Sequence, residues 1–152
     1  MERILVSACL LGERVRYDGR AAAWEPPALW LKWQRQGRLL PFCAECAAGF
    51  AVPRPKAERL GKQVVEQTGA DVTADFRRGA ELTLAFAHRH SIRLAVLKEK
   101  SPSCGVNIIY DGFFSGRQIT GEGVVAALLR QHGIQVFSEH ELERVQPWLE
   151  VQ

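Results

Sequence analysis

The 152-residue chain has no apolar run close to the roughly 18 consecutive residues that a membrane-spanning helix needs. It also has no internal repeat and no low-complexity segment, which argues against repeat and fibrous architectures. What remains is an ordinary balance of 47% hydrophobic and 24% charged residues. A chain of this length and composition is typical of one soluble globular domain, spanning residues 1–152, with one core.

A strong charge of either sign is absent as well. The formal net charge is +3 and the sequence pI is about 8.8, well short of a nucleic-acid-binding tail. At this length there is little chain for a separate domain that grips tRNA. A stable nucleic-acid partner is therefore not expected, and a small-molecule substrate is preferred. The sequence carries no signal of oligomeric state.

The N-terminus, "MERILVSACLLGERVRYDG", lacks the small-residue cleavage site of a secretion signal. Its short apolar run is broken by Ser7 and followed by arginines, so it is predicted to be a β-strand. The expected compartment is the cytoplasm, where structural disulfides are rare. The four cysteines are then inert core residues, redox groups or metal ligands.

The pattern along the chain predicts an α/β fold. Short apolar segments predict four strands, at "RILVSA", "RLLPF", "IRLAVLKE" and "IQVFSE". Helical patterns lie between and after them: one opened by Pro26 and Pro27, one starting at Asp71 or Thr73, and those at "GVVAALLRQHG" and "HELERVQPWL". The segments 49–62 and 110–123 are predicted to be loops, and "KQVVEQTGADVTADF" is predicted to hold a short strand or extended piece before its helix starts. Strands that alternate with helices predict a mostly parallel, Rossmann-like sheet with helices on both faces and a ligand site at the carboxyl ends of its strands.

Three of the four cysteines follow predicted strands. Cys9 comes after the first strand, Cys43 after the second, and Cys104 after the third by way of a short Ser-Pro turn. Because parallel strands deliver their carboxyl ends to one edge of a sheet, these thiols are expected to converge. The irregular backbone at "SPSCG" lets Cys104 turn toward the other two.

Several groups suit such thiols. A structural zinc site usually has four ligands in two CxxC-type pairs, and this chain has one such pair, Cys43 and Cys46. A disulfide exchanger would use that pair alone. An iron–sulfur cluster held by three cysteines would keep one iron without a protein thiolate, as an open Lewis-acid position. The residues alone leave a cluster or metal, a redox pair and inert thiols as alternatives.

Five segments, in this order and spacing, carry a resemblance to a known family. They are "VSACLLGERVRYDG", "FCAE" with "PRPKAE", "GADVTADFRRGA", "LKEKSPSCG", and "IYDGFFSG" with "GEGVVAALL". The chain resembles the DUF523 family, whose members include thiouracil desulfidases, over about residues 3–139. The resemblance implies an α/β fold, an oxygen-sensitive [4Fe-4S] cluster, and removal of sulfur from thiolated uracils to give the oxo base and sulfide.

The resemblance also implies roles for individual residues. Cys9, Cys43 and Cys104 match the cluster ligands, while Glu45 matches the catalytic carboxylate and Ser101 the catalytic serine. The chain departs from the family in having Ala44 where a proline is common and Cys46 where an apolar residue is common.

Two neighbours complete the candidate site. Ser103 is a candidate to hydrogen-bond the substrate or a cluster sulfide, and Lys100 to meet the substrate or the negative charge of the cluster. From the residues alone, a salt bridge with Arg54 is the preferred explanation of Glu45, and a turn-stabilising role is the preferred explanation of Ser101.

Two other functions compete with the desulfidase. The first is a non-catalytic iron–sulfur or zinc module, with Cys46 as fourth ligand, that senses redox state or presents a basic face to RNA. The second is a thiol redox enzyme that uses Cys43 and Cys46 alone. The substrate expected for the desulfidase is a small thiolated nucleobase, and no membrane partner is expected.

Overall fold

The structure is a computed structural model and describes residues 1–150. Its strands are β1 (Ile4–Ser7), β2 (Leu39–Phe42), β3 (Ala57–Leu60), β4 (Gln63–Glu66), β5 (Leu94–Leu97), β6 (Ile108–Tyr110), β7 (Gln118–Thr120) and β8 (Gln135–Ser138). Its helices are α1 (Ala28–Arg35), α2 (Ala44–Ala47), α3 (Thr73–Arg89), α4 (Val124–Gln131) and α5 (Leu142–Glu150), with a 3-10 turn at Ala8–Leu11.

The centre of the fold is a parallel sheet in the order β2-β1-β5-β8. Its strands are the four predicted from the apolar segments. β1 and β5 are buried along their whole length, as expected for strands covered on both faces. The α/β prediction with a mostly parallel sheet is confirmed.

Helices cover both faces of this sheet, as predicted. On one face, α3 and α4 pack against Leu5, Ala95 and Val136. On the other face, α1 and α5 pack against Ile4, Val96 and their neighbours, where Trp30 and Trp33 are almost completely buried. Successive strand residues therefore alternate between two apolar cores, which accounts for the nearly continuous apolar runs in the sequence.

Two antiparallel hairpins stand outside the sheet, and each corrects part of the sequence-based prediction. β3 lies in a segment predicted to be loop, whereas its partner β4 lies where a short strand or extended piece was predicted. β7 lies in the predicted glycine-rich loop, and its partner β6 reaches that loop only at Tyr110. These strands are three or four residues long, and β7 is exposed throughout. β3 and β7 are recognised as strands only through their pairing with β4 and β6.

Within residues 1–150, no helix combines the length and the hydrophobicity that crossing a bilayer would demand.

Candidate active site

A cavity of about 330 Å³ opens at the carboxyl edge of the parallel sheet. Three thiols line it: Cys9, Cys43 and Cys104. They come from segments that follow β1, β2 and β5, which are neighbours in the sheet order. The expected convergence of these cysteines at one sheet edge is what the structure shows, and the other candidate side chains, Glu45, Lys100, Ser101 and Ser103, line the same cavity.

Cys9 and Cys43 are placed by short turns directly after their strands. Cys9 lies in the 3-10 turn, which ends at Gly12 in a left-handed conformation (φ 88°) that favours glycine. Cys43 precedes α2 with extended backbone, and its Sγ accepts a hydrogen bond from the Cys46 amide at 3.5 Å. Neither position needs a long loop, because the strand end itself points the chain at the cavity.

The loop that carries Cys104 is built around a buried carboxylate. Oε1 of Glu99 accepts hydrogen bonds from the amides of Val106, Asn107 and Ile108, at 2.6, 2.8 and 3.0 Å. The amide of Glu99 itself donates to buried Glu139. Glu99 thus supplies the acceptors that a regular strand would have supplied, and so closes the loop.

Two further contacts orient the end of this loop. Oγ of Ser101 accepts the amides of Ser103 and Cys104, each at 3.1 Å. The free amides that begin α4 donate to loop carbonyls: Gly123 to Gly105 at 2.7 Å, and Val125 to Ser103 at 2.9 Å. The helix start lacks a side-chain cap, and the Cys104 loop takes its place.

Glu45 is held in a defined orientation beside the thiols. Its Oε2 forms a buried ion pair with Arg54, whose Nε donates at 2.8 Å. Arg54 is itself anchored to the carbonyl of Val15 at 2.7 Å. The other oxygen, Oε1, accepts the hydroxyl of Ser103 at 3.1 Å. Arg54 therefore occupies one carboxylate oxygen and leaves the other to the serines.

The two serines and Glu45 form one chain of hydrogen bonds. Oγ of Ser101 lies 2.9 Å from Oγ of Ser103. Because Ser101 already accepts two amides, its own hydroxyl hydrogen is available to Ser103, which in turn donates to Glu45. Oγ of Ser103 also lies 3.6 Å from Sγ of Cys104. Ser103, and not Ser101, is the serine in direct contact with both the carboxylate and a thiol.

The three thiols share a buried and electrostatically coupled environment. Burial, assisted by the charge of Cys104, raises the pKa of Cys9 to about 12. Burial also raises the pKa of Cys43 to about 12, with Cys104 and Cys46 adding to the effect and the Cys46 amide opposing it. For Cys104 the pKa is raised, again chiefly by burial, against hydrogen bonds from Ser7 and Ser103. Without a counter-charge these thiols are protonated at neutral pH.

The rest of the cavity wall is cationic and aromatic. Lys98 donates to the Glu99 carbonyl at 3.3 Å and pairs with Glu139 at 3.2 Å, whereas Lys100 carries a left-handed backbone (φ 74°). The remaining cationic and aromatic lining side chains are Arg16, Tyr17, Phe42, Phe50, Arg54, Lys56, Phe76 and Tyr110. Four chemical groups thus face one space: thiols, a carboxylate, hydroxyls and cations, beside aromatic rings.

Cys46 lies apart from the other three cysteines. It belongs to α2 and is partly exposed, and it is not one of the residues that line the cavity. Its charge nevertheless raises the pKa of Cys43, so the two thiols are close neighbours. Three cysteines therefore line the cavity, and Cys46 lies next to Cys43 without lining it.

Sequence reasoning missed the buried carboxylates that support the site. Glu99 and Glu139 are each 5% exposed. In the sequence Glu99 stands in "KEKS" between two lysines, a pattern typical of a solvated surface. Only the distance from Glu99 to the amides seven to nine residues ahead reveals its role, and no local pattern encodes that distance.

The donor set fits an iron–sulfur cluster better than a single ion. Soft thiolates are the ligands of such clusters, and each cysteine of a cubane binds a different iron. Among residues 1–150, no three histidine, cysteine, aspartate or glutamate side chains gather closely enough to share one metal ion. Three neighbouring thiols in this cavity also suit a group that carries positive charge. Iron bound to them would stabilise the thiolate form, which burial otherwise disfavours.

Comparison with known proteins gives consistent results. Residues 4–141 match the model of a family described as 2-thiouracil desulfurase. A solved structure titled [4Fe-4S]-dependent thiouracil desulfidase TudS (DUF523Vcz) is 50% identical, with a TM-score of 0.95 and all of both chains covered. The uncharacterized protein YbbK of Bacillus subtilis (strain 168) is 42% identical over 152 residues, covering 93% of this chain and 99% of YbbK.

The family match spans the whole sheet and every residue that contributes a thiol, carboxylate or serine to the cavity. The similar structure covers the same elements from end to end. This chain belongs to the 2-thiouracil desulfurase family, the DUF523 family that its sequence resembles.

Proposed function

We propose that this protein is a [4Fe-4S]-dependent desulfidase that removes sulfur from thiouracil or a related small thiolated nucleobase. The products are the oxo base and sulfide. One observation carries the proposal: three thiols from three neighbouring strand ends line one cavity together with a carboxylate and two serines. Membership of the 2-thiouracil desulfurase family supports the same reaction.

Cys9, Cys43 and Cys104 would hold the cluster. Cys9 and Cys43 lie at strand ends and Cys104 lies in the loop after β5, so the sheet and the contacts of that loop fix their positions before any metal binds. Their raised pKa values mean that binding would release protons, and iron would supply the positive charge that the buried thiolates lack. When bound through three cysteines, the cluster supplies a Lewis-acidic iron for a soft thiocarbonyl sulfur.

Glu45 serves as the base in this proposal. The net reaction converts C=S and one water into C=O and hydrogen sulfide, so both protons of the attacking water must leave its oxygen and reach the departing sulfur. Oε1 of Glu45 accepts the first proton as the water adds to the ring carbon and passes it to the sulfur, while Arg54 keeps Oε2 occupied and the carboxylate oriented. The same carboxylate then accepts the second proton, from the hydroxyl left on the carbon, as C=O forms and the C–S bond breaks, and passes it to the sulfide.

Ser101 and Ser103 position this chemistry. Ser101 fixes the loop through two amides, and its hydroxyl is directed to Ser103, which bridges to Glu45. Lys100 lines the cavity, where its ammonium group would meet an oxygen or another electron-rich atom of the substrate. The aromatic walls suit a planar pyrimidine ring.

The proposed setting is the cytoplasm, and residues 1–152 are taken as one desulfidase domain. All four cysteines are free, which suits a reducing compartment. A small base, and not a macromolecule, is the proposed substrate, because a cavity of about 330 Å³ falls in the size range of small-molecule sites.

The direct test is anaerobic. The protein is purified without oxygen, loaded with iron and sulfide, and mixed with 2-thiouracil and, separately, 4-thiouracil. We expect the thiouracil absorbance to disappear while uracil and sulfide appear in equal amounts. A protein with a fully loaded cluster that turns over no thiolated base would refute the proposed activity.

Two variants separate the roles within the site. Glu45→Gln should keep the iron content and lower turnover by about 10²–10⁴-fold, the usual contribution of a general base. Cys46→Ala should keep both cluster and turnover. If Cys46→Ala lost its metal instead, the chain would be the four-thiolate binding module considered from the sequence, and no iron would be open to substrate.

A further inference from the structure

Cys46 has no part in the proposed reaction, yet its place is well defined. Cys43 is the N-cap residue of α2, and Cys46 follows three residues later in the single turn of that helix, so the side chain of Cys43 lies beside the backbone of Cys46. The Cys46 amide donates to Sγ of Cys43 at 3.5 Å. The two thiols are also close enough for the charge of one to raise the pKa of the other.

Access separates this pair from Cys9, and local contacts separate it from Cys104. Cys43, Cys46 and Cys104 are partly exposed, whereas Cys9 is only 8% exposed. The Cys46 amide contacts Sγ of Cys43, while Sγ of Cys104 lies 3.6 Å from the hydroxyl of Ser103 in another segment. Cys43 lines the cavity, and Cys46 does not. Cys46 therefore reaches Cys43 from outside the site, where small thiol reagents also arrive.

We propose that Cys43 and Cys46 form a reversible disulfide when the cluster is absent, through exchange with a low-molecular-weight disulfide. The sulfur of Cys46 attacks the reagent and releases one thiol, forming a mixed disulfide. The sulfur of Cys43 then attacks Cys46 and releases the second thiol. Two protein thiols become one disulfide, and the reagent disulfide is reduced by the same two electrons to two thiols.

The consequence is a protected, metal-free state. Cys43 cannot be oxidised further or bind iron while it is paired, and a dithiol restores it. This inference rests on the proposed function only in taking Cys43 as a cluster ligand. Formation of the disulfide itself does not depend on any turnover of thiouracil.

The test uses the full chain before and after cluster loading, with oxidised glutathione as the probe. Free thiols are then alkylated, and the peptide from Leu39 to Lys56, which contains both cysteines, is weighed. In the metal-free protein we expect this peptide to lose two hydrogen atoms and carry no glutathione. Iron uptake should stop, and should return after treatment with dithiothreitol.

Cys46→Ser is the matched variant. It should carry glutathione on Cys43, form no internal disulfide, and take up iron normally while reduced. Glutathione on both cysteines of the wild-type peptide, or a disulfide between Cys9 and Cys104 instead, would overturn the proposal. Circular dichroism of the metal-free variant confirms that it is folded before the comparison is made.

The cluster-loaded protein separates this proposal from the proposed function. If Cys43 binds iron, loading should block the disulfide. A disulfide that forms equally well in loaded protein would remove Cys43 from the ligand set while leaving the exchange reaction intact. If the disulfide forms as expected but the loaded protein turns over no thiolated base, the desulfidase activity is refuted. The proposed disulfide between Cys43 and Cys46 is then still supported.

Discussion

Cys43 and Cys104 are brought to the cavity in different ways. The comparison shows that the end of a strand is sufficient to position one thiol and not the other. Residues 43–47, the Cys43 segment, pass directly from β2 into one helical turn and are held by ordinary backbone bonds such as Ala47 to Cys43 at 3.0 Å. Residues 98–108, the Cys104 loop, are irregular and depend on side chains, above all on Glu99.

The two regions also share one device. A glycine of a neighbouring helix lies against the backbone of each: Gly79 of α3 against Ala44, and Gly123 at the start of α4 against Ser103. A Cβ at Gly79 would lie 2.6 Å from the Ala44 carbonyl oxygen, and one at Gly123 would lie 2.3 Å from that of Ser103. Helices α3 and α4 thus pack directly against the backbone of the two thiol-bearing regions, and only the Cys104 loop depends in addition on side chains such as Glu99.

The largest effect should come from removing the carboxylate of the Cys104 loop. Glu99→Ala leaves the buried amide of Val106 and the partly buried amides of Asn107 and Ile108 without their acceptor, and a buried group left in this way costs about 1–3 kcal/mol. We expect the free energy of unfolding to fall by about 2–4 kcal/mol, measured by urea denaturation. Hydrogen exchange at the amides of residues 106–108 should rise with it.

Glu99→Gln and Glu13→Ala are the matched controls. The glutamine keeps an acceptor oxygen and should lose roughly half as much stability, because hydrogen bonds to charged acceptors are the stronger ones. Exposed Glu13 should change stability by no more than about 0.5 kcal/mol. Equal, small losses for Glu99→Ala and Glu13→Ala would show that the loop is held by something other than Glu99.

The next effect should come from Gly123→Ala. The added methyl group must displace the Ser103 backbone, and with it the hydrogen bonds that join the first amides of α4 to Gly105, Pro102 and Ser103. We expect the free energy of unfolding to fall by about 1–3 kcal/mol, the usual cost of overpacking, as measured by urea denaturation. The iron content after reconstitution should fall several-fold.

Gly121→Ala provides the comparison for that result. A Cβ there meets only the side-chain carbons of Ile109, at 2.9 Å, and their far end can move aside. Gly121→Ala should therefore keep its iron. If both variants lost iron equally, the close approach of α4 to the Cys104 loop would not be what places the thiol.

The Cys43 segment and the Cys104 loop also differ in how much of their structure the sequence predicts. The Cys43 segment was predictable, because an apolar strand and a cysteine at its end place the thiol by topology alone. The convergence of Cys9 with Cys43 follows from parallel neighbours in the same way. For the Cys104 loop, the sequence predicts only where the strand stops and that the backbone is irregular.

The missing information is non-local. In the sequence, Glu99 belongs to a charged run. Its burial arises only in the folded chain, where β5 pairs with β8 and Glu139 lies beside Glu99. Strands β3 and β7 were missed for a related reason. Each is short and follows a segment containing proline or glycine, and each becomes a strand through pairing with β4 or β6, which local propensity does not encode.

A smaller effect is expected from Gly79→Ala on the Cys43 segment. The methyl group would again meet backbone, here that of Ala44 in the single turn of α2. Alanine is also better than glycine inside a helix by about 1 kcal/mol, which offsets part of the clash. We expect a net loss of about 0–2 kcal/mol, less than for Gly123→Ala, and a modest fall in iron content.

Glu81→Ala, at an exposed position of the same helix, reports the effect of helix propensity alone. The free energy of unfolding of Glu81→Ala should lie within about 0.5 kcal/mol of that of the wild type. A Gly79→Ala loss greater than that of Gly123→Ala would reverse the comparison and mark the Cys43 segment as the more rigid of the two.

The smallest effect should come from Ala44→Pro, which restores the Cys-Pro-Glu pattern of the family. Ala44 is the first residue of α2, where proline is favoured because its missing amide hydrogen is not needed within the helix. Cys43 before it is already extended (φ −115°, ψ 109°), the conformation that a following proline demands. We expect stability to change by less than about 1 kcal/mol, with iron content and turnover preserved.

Ala47→Pro makes this prediction sharp. The Ala47 amide donates to the Cys43 carbonyl, so proline there removes a bond and should cost about 3 kcal/mol. If Ala44→Pro were as harmful as Ala47→Pro, the Cys43 segment would not be held by its regular backbone. Both thiol-bearing regions would then depend on side-chain contacts, and the contrast between a strand end that suffices and one that needs a carboxylate would be lost.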